Sequence, residues 1–138
     1  MMLATPYRFS PDAIRQVIPD GCIGVYALGD VVDGVFSIKY VGRSDCSLRR
    51  RLLTHNLLYK YSYFIFATVN TVKECFELEA RWWHDCKIAH LSMTNRIHPD
   101  APSGQKIKCP YCDFSNNIRK FLRECKRQEK SRPVLEKN

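Results

Sequence analysis

The segment between residues 20 and 44 constrains the fold most, because two apolar runs flank a turn signal. The first run, GCIGVYALGD, is rich in β-branched and aromatic residues, and the second, VFSIKYVG, alternates between apolar and polar positions. Asp33-Gly34 lies between the two runs, and this dipeptide is typical of tight hairpin turns. The segment therefore predicts a β-hairpin early in the chain.

The remaining elements extend this hairpin into a mixed α/β (α+β) pattern. SPDAIRQVIP has the Ser-Pro start of a short helix, and LRRRLLTHNLL follows Ser47, a favourable N-cap. YSYFIFATVN predicts a third strand, and TVKECFELEARWWHDCKIAHL predicts a long amphipathic helix. We therefore expect a small three-stranded, mainly antiparallel sheet flanked by helices, formed by residues 1–112. Residues 113–138 are expected to form a basic helix and tail.

Length and charge limit the class of protein. The chain has 138 residues, enough for one compact domain with a core. Its net charge of +8 favours an anionic partner, nucleic acid before an acidic membrane. No apolar run approaches the roughly 20 residues that span a bilayer. The N-terminus lacks the pattern of a secretory signal. These features predict an intracellular, cytoplasmic protein without a membrane segment.

The hairpin strands and the helix after them carry the first candidate site residues. The strands contain Gly24-Val25-Tyr26 and Tyr40-Val41-Gly42, and a tyrosine in a strand is most often a core residue. The helix predicted after them places Arg51 and His55 one turn apart on one face. Arginine donates two fixed hydrogen bonds to a phosphate and keeps its charge. Together these residues indicate an anion-binding site.

Further charged candidates flank this group. Arg49 and Arg50 point elsewhere around the same helix, where they are either solvated or in contact with a nucleic-acid backbone. Glu79 shares a stripe of the long helix with Cys75 and a tryptophan. A carboxylate on a mostly apolar stripe needs a cation or a metal ion as its partner.

The order of these residues resembles the GIY-YIG endonuclease superfamily. The family's first signature, Gly-Ile/Val-Tyr, matches Gly24-Val25-Tyr26, and its second, Tyr-Ile/Val-Gly, matches Tyr40-Val41-Gly42. SLRRRL places Arg51 at the family's arginine, with His55 one turn later. The resemblance covers residues 20 to 99, and the loop RSDCS is slightly longer than in the family's repair members.

The resemblance implies a metal-dependent endonuclease that hydrolyses DNA phosphodiester bonds with one Mg²⁺ or Mn²⁺ ion. Glu79 would hold the ion, and Arg51 would neutralise charge in the transition state. A tyrosine would orient or deprotonate the attacking water. To act as a base, this tyrosine would need a lowered pKa. His55 would hold that tyrosine or be the base itself. The implied catalytic residues are Tyr26, Tyr40, Arg51, His55 and Glu79. The implied substrate contacts are Gly42, Arg43, Asn95, Arg49 and Arg50.

Two other functions are compatible with the same sequence. The first is a DNA-binding module of this fold that has lost catalysis. The second is a zinc-stabilised protein-interaction domain. In the nuclease, specificity would come from DNA structure, a homodimer or a protein partner, because only about 40 residues follow the segment that resembles the family.

The cysteines predict a second metal site. Seven cysteines, an odd number, argue against a disulfide framework in a chain without a secretory signal. Cys109 and Cys112 form a Cys-x₂-Cys knuckle, a spacing typical of zinc ligands. His84 and His98 would complete a structural His₂Cys₂ zinc site. The alternative is a surface knuckle that binds no metal and keeps its thiols free. The alternatives for the histidine positions are Cys86 and His90.

Overall fold

The computed structural model of the chain describes residues 5–89, 93–94 and 97–131. Within these residues the fold is α+β, with an antiparallel sheet and helices on both of its faces, which confirms the predicted class. The elements are β1 (Tyr7–Arg8), α1 (Pro11–Val17), β2 (Ile23–Val32), β3 (Val35–Ser44), α2 (Leu48–Leu53), β4 (Tyr63–Val69), α3 (Val72–Ile88) and α4 (Cys112–Ser131).

The sheet is built around the predicted hairpin. Its strand order is β1-β4-β2-β3, and every neighbouring pair is antiparallel. Val32 and Val35 are the last paired residues of the hairpin, so that Asp33 and Gly34 form a two-residue loop. Both loop residues have positive φ, 52° and 77°, as the favoured hairpin turn requires. The turn and both hairpin strands agree with the prediction, and β3 is an edge strand.

The prediction of three strands was wrong, because the sheet has four. The additional strand, β1, has only two residues, and Tyr7 and Arg8 pair with Phe64 and Tyr63 of β4. Two residues are too few to show the alternation from which a strand is recognised in a sequence. β1 therefore pairs with the first two residues of the outer edge of β4, where no sequence pattern indicated a partner.

Alternation along the central strands divides the core into two clusters. Tyr26 and Leu28 of β2 pack on one face of the sheet with residues of α1 and α2. Val25 and Ala27 of β2 face the other side, where α3 packs. The helices therefore cover opposite faces, and any site that includes both α2 and α3 lies at an edge of the sheet.

Helix α2 is shorter than predicted, since it ends at Leu53 and the chain continues in turns to residue 60. The Thr54 hydroxyl donates to the carbonyl of Arg50 at 2.8 Å, and the Leu57 N–H donates to His55 Nδ1 at 3.1 Å. Such local side-chain hydrogen bonds compete with continued helix. Arg51 and His55 are therefore not on one helix face, because His55 lies beyond the C-cap.

Helix α4 begins at Cys112, at the predicted end of the globular domain, and contacts α3. The predicted tail after Ser131 lies outside the described residues. No helix in the described part of the chain is long and apolar enough to cross a membrane.

The N-cap of helix α3 contributes to the stability of the protein, and this gives a first prediction. The Thr71 hydroxyl accepts from the N–H of Glu74 at 3.1 Å and donates to the Glu74 carboxylate at 2.9 Å. We expect Thr71→Ala to lower the free energy of unfolding by about 1 kcal/mol, measured by urea denaturation. Thr71→Ser keeps both hydrogen bonds and should stay close to wild type. Equal losses in the two variants would contradict a capping role.

Candidate functional site

A cleft of about 250 Å³ lies where β2, β3, α2 and α3 meet. Because α2 and α3 cover opposite faces, the cleft lies at the open β3 edge of the sheet. The structure brings six predicted residues together in its lining: Tyr26, Tyr40, Gly42, Arg43, Arg51 and Glu79. These residues come from four separate elements, so the cleft exists only in the folded chain.

The two tripeptides meet across the hairpin. Tyr26 and Gly42 are direct partners in the β2–β3 register. A Cβ atom built on Gly42 would lie 2.5 Å from the Tyr26 hydroxyl oxygen, so only glycine leaves room for this ring. The rings of Tyr26 and Tyr40 stack with centroids 6.2 Å apart and planes 15° apart. Gly42 therefore lines the cleft and also makes space for Tyr26.

Tyr26 is fully buried, and its hydroxyl makes no hydrogen bond of good geometry with the described residues, although the Arg51 guanidinium lies close to it. Burial raises the pKa of Tyr26, and the nearby positive charge of Arg51 opposes this only in part. The direction is opposite to the lowered pKa that a tyrosine base requires. At neutral pH the hydroxyl is therefore protonated, so it can donate a hydrogen bond into the cleft.

His55 packs against both tyrosines but does not line the cleft. Its ring meets Tyr26 and Tyr40 edge-on, at centroid distances of 5.5 and 5.1 Å. Since Nδ1 accepts from the Leu57 N–H, the neutral ring carries its proton on Nε2, which is buried. Burial, and then the charge of Arg51, lowers the pKa of His55 to about 4. This geometry fits a residue that holds the tyrosines better than a general base.

An ion pair joins the two sides of the cleft. Arg43 Nη1 donates to Glu79 Oε1 at 2.6 Å, and Arg43 Nε donates to Asp45 Oδ1 at 3.0 Å. The side chains of Arg43 and Glu79 are only 13% and 10% exposed. The Arg43 guanidinium also lies 5.3 Å from the ring of Phe76 on α3. Arg43 is thus held by three contacts at the cleft wall.

Glu79 is an ionisable group in an apolar setting. Burial raises the pKa of Glu79, and the hydrogen bond and charge of Arg43 act in the opposite direction. Arg43 contacts Oε1, and Oε2 makes no hydrogen bond or ion pair with the described residues. Perturbed carboxylates of this kind in a cleft are typical of functional sites.

The three consecutive arginines have different surroundings. Arg51 lies at the rim of the cleft beside the hydroxyls of Tyr26 and Tyr40, so the slightly longer loop before α2 does not remove it from the site. Arg49 instead donates to the carbonyls of Ile18 and Arg15 at the end of α1, at 3.0 and 2.8 Å. Arg49 therefore does not line the cleft, and its contact with substrate stays a prediction. Arg50 is exposed and does not line the cleft.

Two cleft residues were missed from the sequence. Asp45 and Asp100 both line the cleft. Asp45 follows β3 directly and lies two residues after Arg43. This closeness in sequence to a candidate site residue could have identified Asp45 as part of the cleft. Asp100 lies on the loop between α3 and the cysteine knuckle, where no periodic pattern indicates the direction of a side chain. The predicted substrate contact Asn95 lies outside the described residues.

The predicted zinc ligands converge on one point. One ligand atom from each of His84, His98, Cys109 and Cys112 lies within 4.8 Å of every other. The four residues therefore form a cluster that can hold a metal ion such as zinc. Of the alternative ligands, Cys86 lies on α3 and is fully buried in the core between this helix and the sheet, and His90 lies outside the described residues.

The distances within this cluster fit tetrahedral zinc. Zn–N bonds of about 2.0–2.1 Å and Zn–S bonds of about 2.3 Å place nitrogen–nitrogen pairs roughly 3.3 Å apart and nitrogen–sulfur pairs roughly 3.5 Å apart. The Nε2 atoms of His84 and His98 are 3.2 Å apart. Cys109 and Cys112 Sγ lie 3.6 and 3.5 Å from His84 Nε2, and Cys112 Sγ lies 3.2 Å from His98 Nε2.

The donor atoms of the cleft have a different character. They are the carboxylate oxygens of Asp45, Glu79 and Asp100, and hard divalent cations such as Mg²⁺ and Mn²⁺ prefer oxygen ligands. No cysteine or histidine lines the cleft in the described part of the chain, so its chemistry suits these ions better than zinc. No family model, curated protein or solved structure matches the chain.

The buried imidazole of His55 predicts a pH dependence of stability. Its pKa is about 4 in the folded protein, below the value of about 6.5 in an unfolded chain. Its contribution is therefore complete above pH 6.5 and is lost as the pH falls towards 4. Between pH 7.5 and 4.5 this loss amounts to about 2–3 kcal/mol of unfolding free energy.

His55→Asn removes the titrating group and keeps an acceptor near the Leu57 N–H. Urea denaturation at both pH values should show a smaller acid-induced loss in this variant than in wild type, although the variant is less stable at pH 7.5. Identical losses in the two proteins would contradict burial of a neutral imidazole.

Proposed function

We propose that this protein is a metal-dependent endonuclease that hydrolyses DNA phosphodiester bonds, as its resemblance to the GIY-YIG superfamily implies. The observation that supports this most strongly is the cleft itself. Tyr26, Tyr40, Arg51 and Glu79 come from β2, β3, α2 and α3 and line one opening at a sheet edge. The net charge of +8 favours a polyanionic substrate.

The proposed cofactor of the cleft is one Mg²⁺ or Mn²⁺ ion. Glu79 is the proposed ligand, because its Oε2 has no other partner among the described residues. When bound, such an ion polarises a phosphate and stabilises the leaving oxygen. The same ion would offset the cost of holding the Glu79 charge out of water.

The chain's own residues supply binding and orientation. Arg51, at the rim, would donate two hydrogen bonds to the scissile phosphate and neutralise charge that develops on it. The protonated hydroxyl of Tyr26 would donate to a phosphate oxygen or orient the attacking water. Tyr40 stacks on Tyr26 and would hold it with His55. Arg43 would keep the Glu79 carboxylate in place through their ion pair.

Plasmid nicking in the presence of Mg²⁺ or Mn²⁺ tests this proposal. We expect Arg51→Ala and Glu79→Gln each to lower the nicking rate by a factor of about 100 or more, because the first removes charge stabilisation in the transition state and the second removes the proposed metal ligand. Arg51→Lys should recover only part of the loss, since lysine cannot bind a phosphate with two parallel hydrogen bonds.

Arg81→Ala is the matched control, because it also removes one arginine and lies on α3 beside Asp85, 61% exposed and outside the cleft. This variant should nick at the wild-type rate. Full nicking by both Arg51→Ala and Glu79→Gln would refute the assigned roles. Salt-sensitive DNA binding without any nicking by wild type would favour the catalytically inactive module.

Zinc is the proposed ion of the second cluster, with a structural role, because all four positions of a tetrahedral site are filled by His84, His98, Cys109 and Cys112. Elemental analysis by mass spectrometry of protein purified without chelator should find about one zinc per chain. Cys112→Ser should lose the zinc, and Cys46→Ser, which changes an exposed cysteine outside the cluster, should retain it. A zinc content below about a tenth per chain in wild type would refute the assignment.

A further inference from the structure

A short loop segment connects the metal cluster to the cleft. His98 belongs to the cluster, and Asp100, two residues later, lines the cleft. Two residues span at most about 7 Å even when fully extended. A constraint on His98 therefore limits the positions that Asp100 can reach.

The residue between them makes the connection stiffer. Pro99 has a fixed φ, and a proline also restricts the backbone of the residue before it, here His98. The His98 ring lies against the same peptide, with Nδ1 2.7 Å from the carbonyl oxygen of Pro99. An N–H at Nδ1 would donate to this oxygen and leave Nε2 as the metal-binding atom. Fixing the His98 ring thus also orients the peptide that leads to Asp100.

An aromatic contact with Trp83 also holds the His98 ring. Trp83 of α3 packs against His84 and His98, with ring centroids 5.0 and 5.1 Å apart. An ion shared by His84 and His98 would tie this loop to α3, five residues after Glu79 on the same helix. Helix α3 therefore carries one residue of each site, His84 of the cluster and Glu79 of the cleft.

Asp100 is the cleft carboxylate with the fewest existing contacts. Glu79 Oε1 and Asp45 Oδ1 both accept from Arg43. Asp100 is exposed at the rim and makes no hydrogen bond or ion pair with residues 5–89, 93–94 or 97–131. The buried hydroxyl of Tyr26 lies in the same cleft and makes no hydrogen bond of good geometry with the described residues, with only the Arg51 guanidinium close to it, which indicates that a ligand completes the site.

We propose that Asp100 is the second carboxylate of the divalent-cation site in the cleft, and that metal binding to the histidine–cysteine cluster sets its position. The inference rests on the proposed function, because it concerns the metal site of the same cleft. Mg²⁺ and Mn²⁺ sites commonly combine one or two carboxylates with water and substrate phosphate. Loss of the cluster metal would therefore weaken cation binding in the cleft without changing any cleft residue.

The test measures Mn²⁺ affinity of the full-length, zinc-loaded protein from the electron paramagnetic resonance signal of free Mn²⁺. We expect Asp100→Asn to bind Mn²⁺ more weakly by about tenfold, while its zinc content stays at the wild-type level. Asp20→Asn, which changes an exposed aspartate outside the cleft, should bind Mn²⁺ as wild type does.

The coupling is tested by variants of the cluster. Cys112→Ser should lose zinc and weaken Mn²⁺ binding by a similar factor, although Asp100 is intact. The double variant should be no weaker than Cys112→Ser, because both changes remove the same contribution. Cys112→His keeps a zinc ligand and should recover both zinc and Mn²⁺ binding, and it carries the test if Cys112→Ser does not fold.

The outcomes separate this inference from the proposed function. Wild-type Mn²⁺ affinity in Asp100→Asn, or in folded zinc-free Cys112→Ser, would overturn the inference, as would additive losses in the double variant. Nicking that depends on Arg51 and Glu79 would then still support the nuclease. Conversely, Mn²⁺ binding that depends on Asp100 in a protein that nicks no DNA would overturn the nuclease and support the inference.

Discussion

The buried ion pair between Arg43 and Glu79 is the interaction on which the rest of the site depends. It joins the edge strand β3 to α3, with a nitrogen–oxygen distance of 2.6 Å and both side chains nearly excluded from solvent. Removing one partner of a buried pair leaves an uncompensated charge, at a cost of about 3–5 kcal/mol. The pair therefore ties α3 to the edge strand, in addition to the apolar packing of α3 on the sheet. His84 lies five residues after Glu79 on the same helix.

Packing on the other face of the hairpin sets the position of the tyrosines. Tyr26 fits only because its strand partner is Gly42, and the edge-on contacts of His55 hold both tyrosine rings. The protonated phenol of Tyr26 packs against the neutral imidazole of His55, whereas Arg43 and Arg51 bring positive charge to the cleft, with Arg51 beside the tyrosine hydroxyls. The cleft thus combines fixed hydrogen-bond donors with carboxylates, the combination that a cation and a phosphate require together.

The sequence predicted the elements that have a local signature, such as a hairpin turn or a short motif. The hairpin was predicted from Asp33-Gly34 and its flanking apolar runs. Tyr26, Tyr40 and Gly42 were assigned to the site from two tripeptides, and Arg51 and Glu79 from the resemblance that these tripeptides carry. The missed features depend on contacts between distant parts of the chain. Strand β1 is defined only by pairing with β4, and Arg49 is directed by carbonyls of α1. Asp100 reaches the cleft on the loop that also carries His98 of the histidine–cysteine cluster.

Anomalous X-ray diffraction from crystals soaked in MnCl₂ is the most direct test of the central claim, that the cleft is a divalent-cation site at Glu79. We expect a manganese peak in bonding contact with Glu79, beside Arg51 and the tyrosine hydroxyls, and separate from any zinc peak at Cys109 and Cys112. Manganese peaks at the surface of the protein but none in the cleft, with Glu79 still paired only with Arg43, would contradict this claim.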